Sequence, residues 1–309
     1  MSEIFWNLVN ITILIASTIS LAIGQIILLS LFKMKKLYQL DRLVMLIVTC
    51  MDIIWSIYQI VISSCKLRFG PEFIYSMGVS CQLYVLFNTG CLRLSNGCVA
   101  ILAVIRYMVG CRNKSLKNWI WPLIITIHIC ICLTFSLTTF IRWDARRTSS
   151  GLICLLFLSE GDLSKYLMIA HTSYYLIQCA TVTIFYFLIC KHWYYHLNNL
   201  KMSAKLNEDL ESIKHINFQQ KKIVFQGLLV VLADCITFIP STVTYVMKLG
   251  FGYVRPPLVD GVVVWMLTTL PIVNPVITLW LQPEVNAEFW TYYSLLSDKV
   301  KNFFRTILA

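Results

Sequence analysis

Seven apolar stretches, each long enough to cross a lipid bilayer, constrain this chain more than any other feature of its sequence. A crossing helix needs about 20 mainly apolar residues, because each residue adds about 1.5 Å and the hydrocarbon core is about 30 Å thick. Only 13% of the 309 residues are charged, against about 25% in soluble proteins. The sequence therefore predicts an all-α membrane protein with a single seven-helix domain over 1–309. The predicted helices span about 9–32, 43–64, 79–108, 119–141, 166–190, 223–248 and 259–281.

The Lys and Arg residues are unevenly divided between the two sides of this predicted bundle. The loops after the first, third and fifth stretches, together with the tail, carry 17 of them, counting Arg106, against 8 on the other side. Because cytoplasmic loops are enriched in basic residues, we expect an extracellular N-terminus and a cytoplasmic C-terminus in the plasma membrane. The same rule accounts for the net charge of +11, and no nucleic-acid motif accompanies that charge. Lipid, and not nucleic acid, is the expected surrounding partner.

Short motifs fall near the ends or in the middle of three of the stretches. The third begins near Cys81, ends in Ile105-Arg106-Tyr107 and is followed by a basic loop. The sixth contains Thr237-Phe238-Ile239-Pro240 and the seventh contains Asn274-Pro275. In these positions the chain resembles the rhodopsin-like (class A) G-protein-coupled receptors, whose helices carry Asp-Arg-Tyr, Cys-Trp-x-Pro and Asn-Pro-x-x-Tyr. The resemblance implies a seven-helix bundle with a short amphipathic eighth helix in the tail, 282–309.

Nearly every one of these motifs is a variant of the family pattern. Ile105 replaces the acid that holds the arginine in resting receptors, and Thr278 stands where the last motif has tyrosine. Helix 1 has Gly24-Gln25 where the family usually has Gly-Asn. The missing acid implies a freer Arg106 and a raised basal activity. The variants indicate a divergent, chemosensory-type member, and a simple basic residue at a helix end is the alternative reading of Arg106.

The resemblance also implies roles for individual residues. In the family a disulfide joins the positions held here by Cys81 and Cys154, the only cysteine of the loop after helix 4. Coupling and switching would involve Arg106 and Tyr107. Further switch positions would be Phe238, Pro240, Asn274 and Pro275, whose prolines bend their helices.

Polar residues within the apolar stretches suggest two further sites, because each is costly in hydrocarbon. Asp52, Ser95 and Asn274 match family positions that ligate Na⁺, and a water-bridged hydrogen-bond cluster without an ion is the alternative. Arg93 and Asp234 are the other intramembrane charges. We expect Asp234 to pair with Arg93 and to hydrogen-bond Asn96; the alternative is a protonated Asp234 with Arg93 turned toward a water-filled cavity.

The functional prediction is a receptor that binds an extracellular small molecule and activates a heterotrimeric G protein by outward movement of helix 6. The ligand pocket is predicted at Asn88 and Phe238; an asparagine at 88 in place of the amine receptors' aspartate makes a monoamine an unfavourable ligand. No catalytic residue, metal site or cofactor is expected, apart from Na⁺ as an allosteric ion. Retinal would need a lysine in helix 7, and none occurs between Lys248 and Lys299. A multi-pass transporter without receptor signalling is the alternative function.

Overall fold

This computed structural model has seven long helices in the part of the chain that it describes. The structure describes residues 3–33, 40–74, 78–114, 116–117, 119–157, 161–207, 209–281, 286–287, 289–291, 293–294 and 298. The helices are α1 (Glu3–Lys33), α2 (Leu40–Phe69), α3 (Val79–Gly110), α4 (Ile120–Ile141), α5 (Asp162–Leu206), α6 (Leu210–Phe251) and α7, which consists of Pro257–Thr268 and Leu270–Leu281. The predicted fold class, an all-α bundle with seven helices of membrane-spanning length, is confirmed.

Three helices depart from regular geometry at identifiable residues. A π-helical turn at Val85–Thr89 interrupts α3, and α7 breaks at Thr269, just before Pro271. Pro240 lies inside α6 and Pro275 inside the second part of α7, as the sequence requires. A proline removes one backbone donor from its helix, so these positions are natural places for a bend.

The distribution of side chains is that of a protein whose solvent is lipid. Large apolar side chains such as Ile15, Leu133, Ile184 and Val243 are exposed on the outer surface of the bundle. Polar groups such as the Ser20 and Ser56 hydroxyls and the Asn274 amide are buried between the helices, where they form internal hydrogen bonds. All seven helices are long and apolar enough to span a membrane. The chain is therefore a multi-pass membrane protein.

One end of the bundle, here called the hairpin end, is covered by the connection between α4 and α5. It contains two short antiparallel strands, β1 (Arg146–Arg147) and β2 (Cys154–Leu155), with Arg147 opposite Cys154. A disulfide joins Cys154 to Cys81 at the start of α3, with a Cα–Cα distance of 5.6 Å. The predicted disulfide is confirmed, and it fixes the hairpin to the bundle.

The hairpin is packed into the bundle as a lid. Leu152, Leu156 and Phe157 are almost completely buried. The buried Lys66 side chain of α2 donates a hydrogen bond to the Leu152 carbonyl. Gln82 of α3 exchanges two hydrogen bonds with the Ala145 backbone, at 3.3 and 3.4 Å. These contacts satisfy polar groups that burial would otherwise leave unpaired. The lid is therefore an integral part of the fold, held to α2 and α3.

The opposite end, called the Arg106 end, is extended by the polar segment between the fifth and sixth spans. Both α5 and α6 continue well beyond membrane length, as the sequence indicated, and meet at a short connection around Asp209. The Asp209 carboxylate caps α6 by accepting hydrogen bonds from the Ser212 hydroxyl (2.6 Å) and backbone N–H (3.0 Å). The same hydrogen bonds hold the pKa of Asp209 below its ordinary value.

The predicted eighth helix falls largely outside the described residues. Positions 286–287, 289–291, 293–294 and 298 are helical, and the exposed rings of Trp290 and Tyr293 pack against each other. Leu296, Lys299, Lys301, Phe303, Phe304 and Arg305, which were expected to complete its two faces, are not described. An amphipathic helix over the whole tail stays a prediction.

Gly97 of α3 allows a close contact between α3 and the His128 side chain of α4. We predict that Gly97→Ala destabilises the protein. A methyl group there would lie 2.1 Å from the His128 imidazole. That ring cannot move freely, because it contacts the Tyr174 hydroxyl (2.7 Å) and the Leu94 carbonyl (3.1 Å). We expect a loss of about 1–3 kcal/mol, seen as a lower melting temperature of the purified full-length chain.

Gly110→Ala on the same helix is the matched control, since nothing lies within 4 Å of its added methyl group. Alanine is the better helix former, so Gly110→Ala should be neutral or slightly stabilising. Equal melting temperatures for the two variants would contradict the steric account.

Candidate functional site

A cavity of about 700 Å³ opens between α2, α3, α5 and α6 at the Arg106 end. Arg106 and Tyr186 line this cavity, and Asp41, Trp193 and Gln226 contribute further polar or aromatic groups to its wall. Gly110 keeps part of its wall free of side chains, since nothing lies within 4 Å of a methyl group added there. The cavity joins four helices, so an occupant would contact elements that must move relative to one another in any helix rearrangement.

Arg106 is held by two neighbours inside the bundle. Its guanidinium donates a hydrogen bond to the Tyr186 hydroxyl of α5 at 2.9 Å and lies 3.9 Å from the Met45 sulfur of α2. Tyr107 points elsewhere: its ring packs edge-on against Phe185, and its hydroxyl accepts a hydrogen bond from Arg112 at 3.0 Å. No carboxylate pairs with Arg106 among the described residues, in keeping with Ile105 at the preceding position.

The structure brings Asp52, Ser95 and Asn274 together from α2, α3 and α7. The Ser95 hydroxyl donates to Asp52 Oδ1 at 2.8 Å, and the Asn274 amide donates to Asp52 Oδ2 at 3.4 Å and approaches Ser95 Oγ at 3.3 Å. All three are buried. The cluster offers carboxylate, hydroxyl and amide oxygens, the ligand type that hard cations use. The direct hydrogen bonds also suit a purely structural cluster, so sodium binding stays a prediction.

The expected ion pair between Arg93 and Asp234 is not formed. The Arg93 guanidinium instead lies over the Tyr175 ring of α5, 3.4 Å from its centre, so the aromatic face meets the positive charge. The Asn96 amide donates to Gln178 Oε1 at 3.3 Å and not to Asp234. The sequence prediction of these two contacts was wrong because it omitted α5, which supplies the partners of both α3 residues.

Asp234 lines a second, smaller cavity of about 40 Å³. Asn96, Arg106 and Asn274 line it too. The coupling site at Arg106, the predicted sodium site at Asn274 and the polar cluster of Asn96 and Asp234 therefore meet at this cavity. The volume exceeds the roughly 10–15 Å³ that one water molecule needs, and polar walls favour water. Within the described part of the chain no side chain bonds the Asp234 carboxylate, so water is its natural partner.

Asn88 and Phe238, the predicted ligand contacts, are engaged in contacts within the protein. Asn88 Oδ1 accepts hydrogen bonds from Trp55 Nε1 (2.7 Å) and Gln59 Nε2 (2.5 Å) of α2. Phe238 packs edge-on against Tyr175, with ring centres 4.8 Å apart. Neither lines the cavity at the Arg106 end. A direct ligand contact for either stays a prediction.

The residues that sequence reasoning missed lie on one face of α5. His171, Tyr175, Gln178, Val182 and Tyr186 are all buried. They recur at intervals of three or four, which places them on one stripe of a helix. Polar side chains at this spacing in an apolar stretch were a usable signal that this stripe faces the bundle.

Among solved structures, the fold of this chain is similar to that of the crystal structure of squid rhodopsin. The two superpose with a TM-score of 0.72 at 13% sequence identity, over 96% of this chain and 87% of that chain. No family model and no curated protein sequence matches the chain. The seven helices therefore have the arrangement of the rhodopsin fold.

Proposed function

We propose that the chain is a divergent, chemosensory-type receptor of the plasma membrane that binds a small molecule outside the cell and activates a heterotrimeric G protein inside it. The observation that carries the proposal is the cavity of about 700 Å³ at Arg106, which opens between the helices at one end of a rhodopsin fold. We place the hairpin end outside, because its disulfide needs an oxidising compartment. The Arg106 end, with most of the basic residues, then faces the cytoplasm.

In this proposal the cavity at the Arg106 end receives the C-terminal helix of a G-protein α-subunit. Arg106 and Gln226 offer hydrogen-bond donors, while Ile189, Trp193 and Ile223 offer an apolar wall. These are the two kinds of contact that an amphipathic helix needs in a groove. The occupant would widen the gap between α3 and α6, so it would bind best to the conformation with α6 moved outward.

The ligand acts by the same population shift from the other end. A ligand at the hairpin end contacts the outer parts of α6 and α7, and the prolines inside both helices allow the two ends to move differently. It favours the outward conformation only by as much as it binds that conformation better. The polar residues around the small cavity at Asp234 and Asn274 lie between the two ends and would rearrange with α6.

The direct test is binding of C-terminal α-subunit peptides to the full chain in lipid nanodiscs. One peptide from each G-protein class is titrated and followed by fluorescence anisotropy. Gly110→Trp should weaken binding by about tenfold or more, since a large ring would fill cavity space now lined by a glycine.

Gly250→Trp is the matched control, because a side chain added at Gly250 also meets no neighbour. Gly250 is in the last turn of α6, at the hairpin end of the bundle and away from the cavity at Arg106. Gly250→Trp should leave peptide affinity unchanged. If no peptide class binds the wild-type chain, or if Gly110→Trp binds as well as wild type, the cavity does not have the proposed role.

A further inference from the structure

Another cavity, of about 120 Å³, lies at the hairpin end beside the lid. It is enclosed by the β1–β2 hairpin, the last turns of α6, the connection 252–256 and the first turn of α7. The volume is well above the roughly 10–15 Å³ that one water needs, so it accommodates a small chemical group. The residues that give it its character are Arg147, Tyr245, Lys248, Tyr253, Arg255 and Asp260.

The lining carries three basic residues and one acid. Asp260 is fully engaged: its Oδ1 pairs with Arg255 at 3.3 Å, and its Oδ2 accepts hydrogen bonds from the Ser150 hydroxyl (2.6 Å) and N–H (3.3 Å). Arg255 is engaged as well, since it also donates to the Ser241 carbonyl at 3.2 Å and lies over the Tyr245 ring. Among the described residues, the internal pair therefore leaves the other two cations without an acid.

Arg147 and Lys248 have no carboxylate or hydrogen-bond partner among the residues that the structure describes. Arg147 is nevertheless held in place, because its guanidinium packs against Gly151 so closely that an added methyl group there would lie 2.1 Å from it. Lys248 is on α6 and Arg147 is on the hairpin, so the two charges face one cavity from different elements. Two cations that have no acidic partner in the described part of the chain create a local positive potential in this partly enclosed site.

We propose that this cavity binds the anionic group of a small organic ligand, a carboxylate, sulfate or phosphate, between Arg147 and Lys248. This rests on the proposed receptor function and names the class of its ligand. Tyr245, Tyr253 and Val254 line the same cavity and suit a flat apolar body attached to the anion. Because Lys248 belongs to α6 and Arg147 to the disulfide-anchored lid, an anion between them ties the moving helix to the fixed hairpin.

The test measures binding to the full chain in nanodiscs made only of zwitterionic lipid, without any G protein. The probes are benzoate, phenyl sulfate and phenyl phosphate, each compared with neutral benzamide, and binding is followed by saturation-transfer NMR and by the shift in melting temperature. We expect at least one anion to bind and benzamide not to bind. Arg147→Gln and Lys248→Gln should each weaken the anion by about tenfold or more, the effect of one lost charged hydrogen bond.

Arg146→Gln is the matched control, because it removes the same charge from the same strand. The Arg146 guanidinium donates to the Trp143 and Ala145 carbonyls and does not line the cavity. It should leave the anion affinity within about twofold. Arg147→Lys and Lys248→Arg keep the charges, so they should retain binding and guard against a variant that only misfolds.

Three results would overturn the proposal. The first is that benzamide binds as tightly as the anions, and the second is that Arg146→Gln has as large an effect as Arg147→Gln. The third is that no anion binds at 10 mM, which is roughly ten times a millimolar Kd. Since no G protein is present, each of these leaves the coupling proposal standing. Loss of coupling with intact anion binding would contradict only the receptor function.

Discussion

Serine at Cys81, at Cys154 or at both is expected to destabilise the protein by about 2–5 kcal/mol and to remove most of it from the cell surface. The bond closes a loop with a sequence separation of 73 residues and joins the hairpin to α3. Without it, the Lys66 contact to Leu152 and the Gln82 contacts to Ala145 must hold the buried lid alone. Each single variant should match the double variant, because each breaks the same bond.

The measurements are the melting temperature of the purified chain and the surface fraction of an epitope-tagged chain. Cys130→Ser is the control, since this cysteine is free and exposed on α4. It should behave as wild type. A double variant with wild-type stability, or single variants whose effects add up in the double, would show that the lid does not depend on the disulfide.

Glutamine at Arg106 is expected to reduce G-protein activation by about 10- to 100-fold with little loss of surface expression. The variant removes a charged donor at the cavity and its hydrogen bond to Tyr186, which is worth about 1.5–3 kcal/mol. Tyr186→Phe removes only the hydroxyl and keeps the ring, so its effect should be smaller. Cell assays of basal second-messenger production, normalised to surface expression, measure both.

Aspartate at Ile105 probes the same switch in the opposite sense. It restores an acid beside Arg106, where the described chain provides no carboxylate partner. The new pair would hold the guanidinium away from an incoming α-subunit helix, so basal activity should fall. Unchanged activity in both Arg106→Gln and Ile105→Asp would remove Arg106 from the coupling site.

The sequence predicted what depends on local pattern and on single-residue signatures. Seven apolar stretches defined the helices, Cys81 and Cys154 met as expected, and Asp52, Ser95 and Asn274 came together from three helices. Each of these follows from the helix arrangement of the rhodopsin fold, which the chain shares. The oxygen-lined cluster is a consequence of that arrangement and needs no chain-specific contact.

Chain-specific contacts were beyond the sequence. Arg93 and Asp234 were paired because both are costly in lipid, but Tyr175 on α5 had the better geometry for the guanidinium. A cation can be satisfied by an aromatic face as well as by a carboxylate, and a list of charges does not show the ring. The cavity that we propose to bind an anion was missed for a related reason, since Arg147 lies far from Lys248 and Arg255 in the sequence and meets them only in the fold.

Catalysed nucleotide exchange on the G protein is the most direct test of whether the Arg106 end activates it. The purified full-length chain in nanodiscs is mixed with one heterotrimer from each G-protein class, and uptake of a labelled GTP analogue is followed over time. We expect at least one heterotrimer to exchange nucleotide faster with the wild-type chain than with Arg106→Gln, because no acid among the described residues restrains Arg106. Exchange at the rate of empty nanodiscs with every heterotrimer, from a chain that is folded and still binds an anion of the panel, would contradict it.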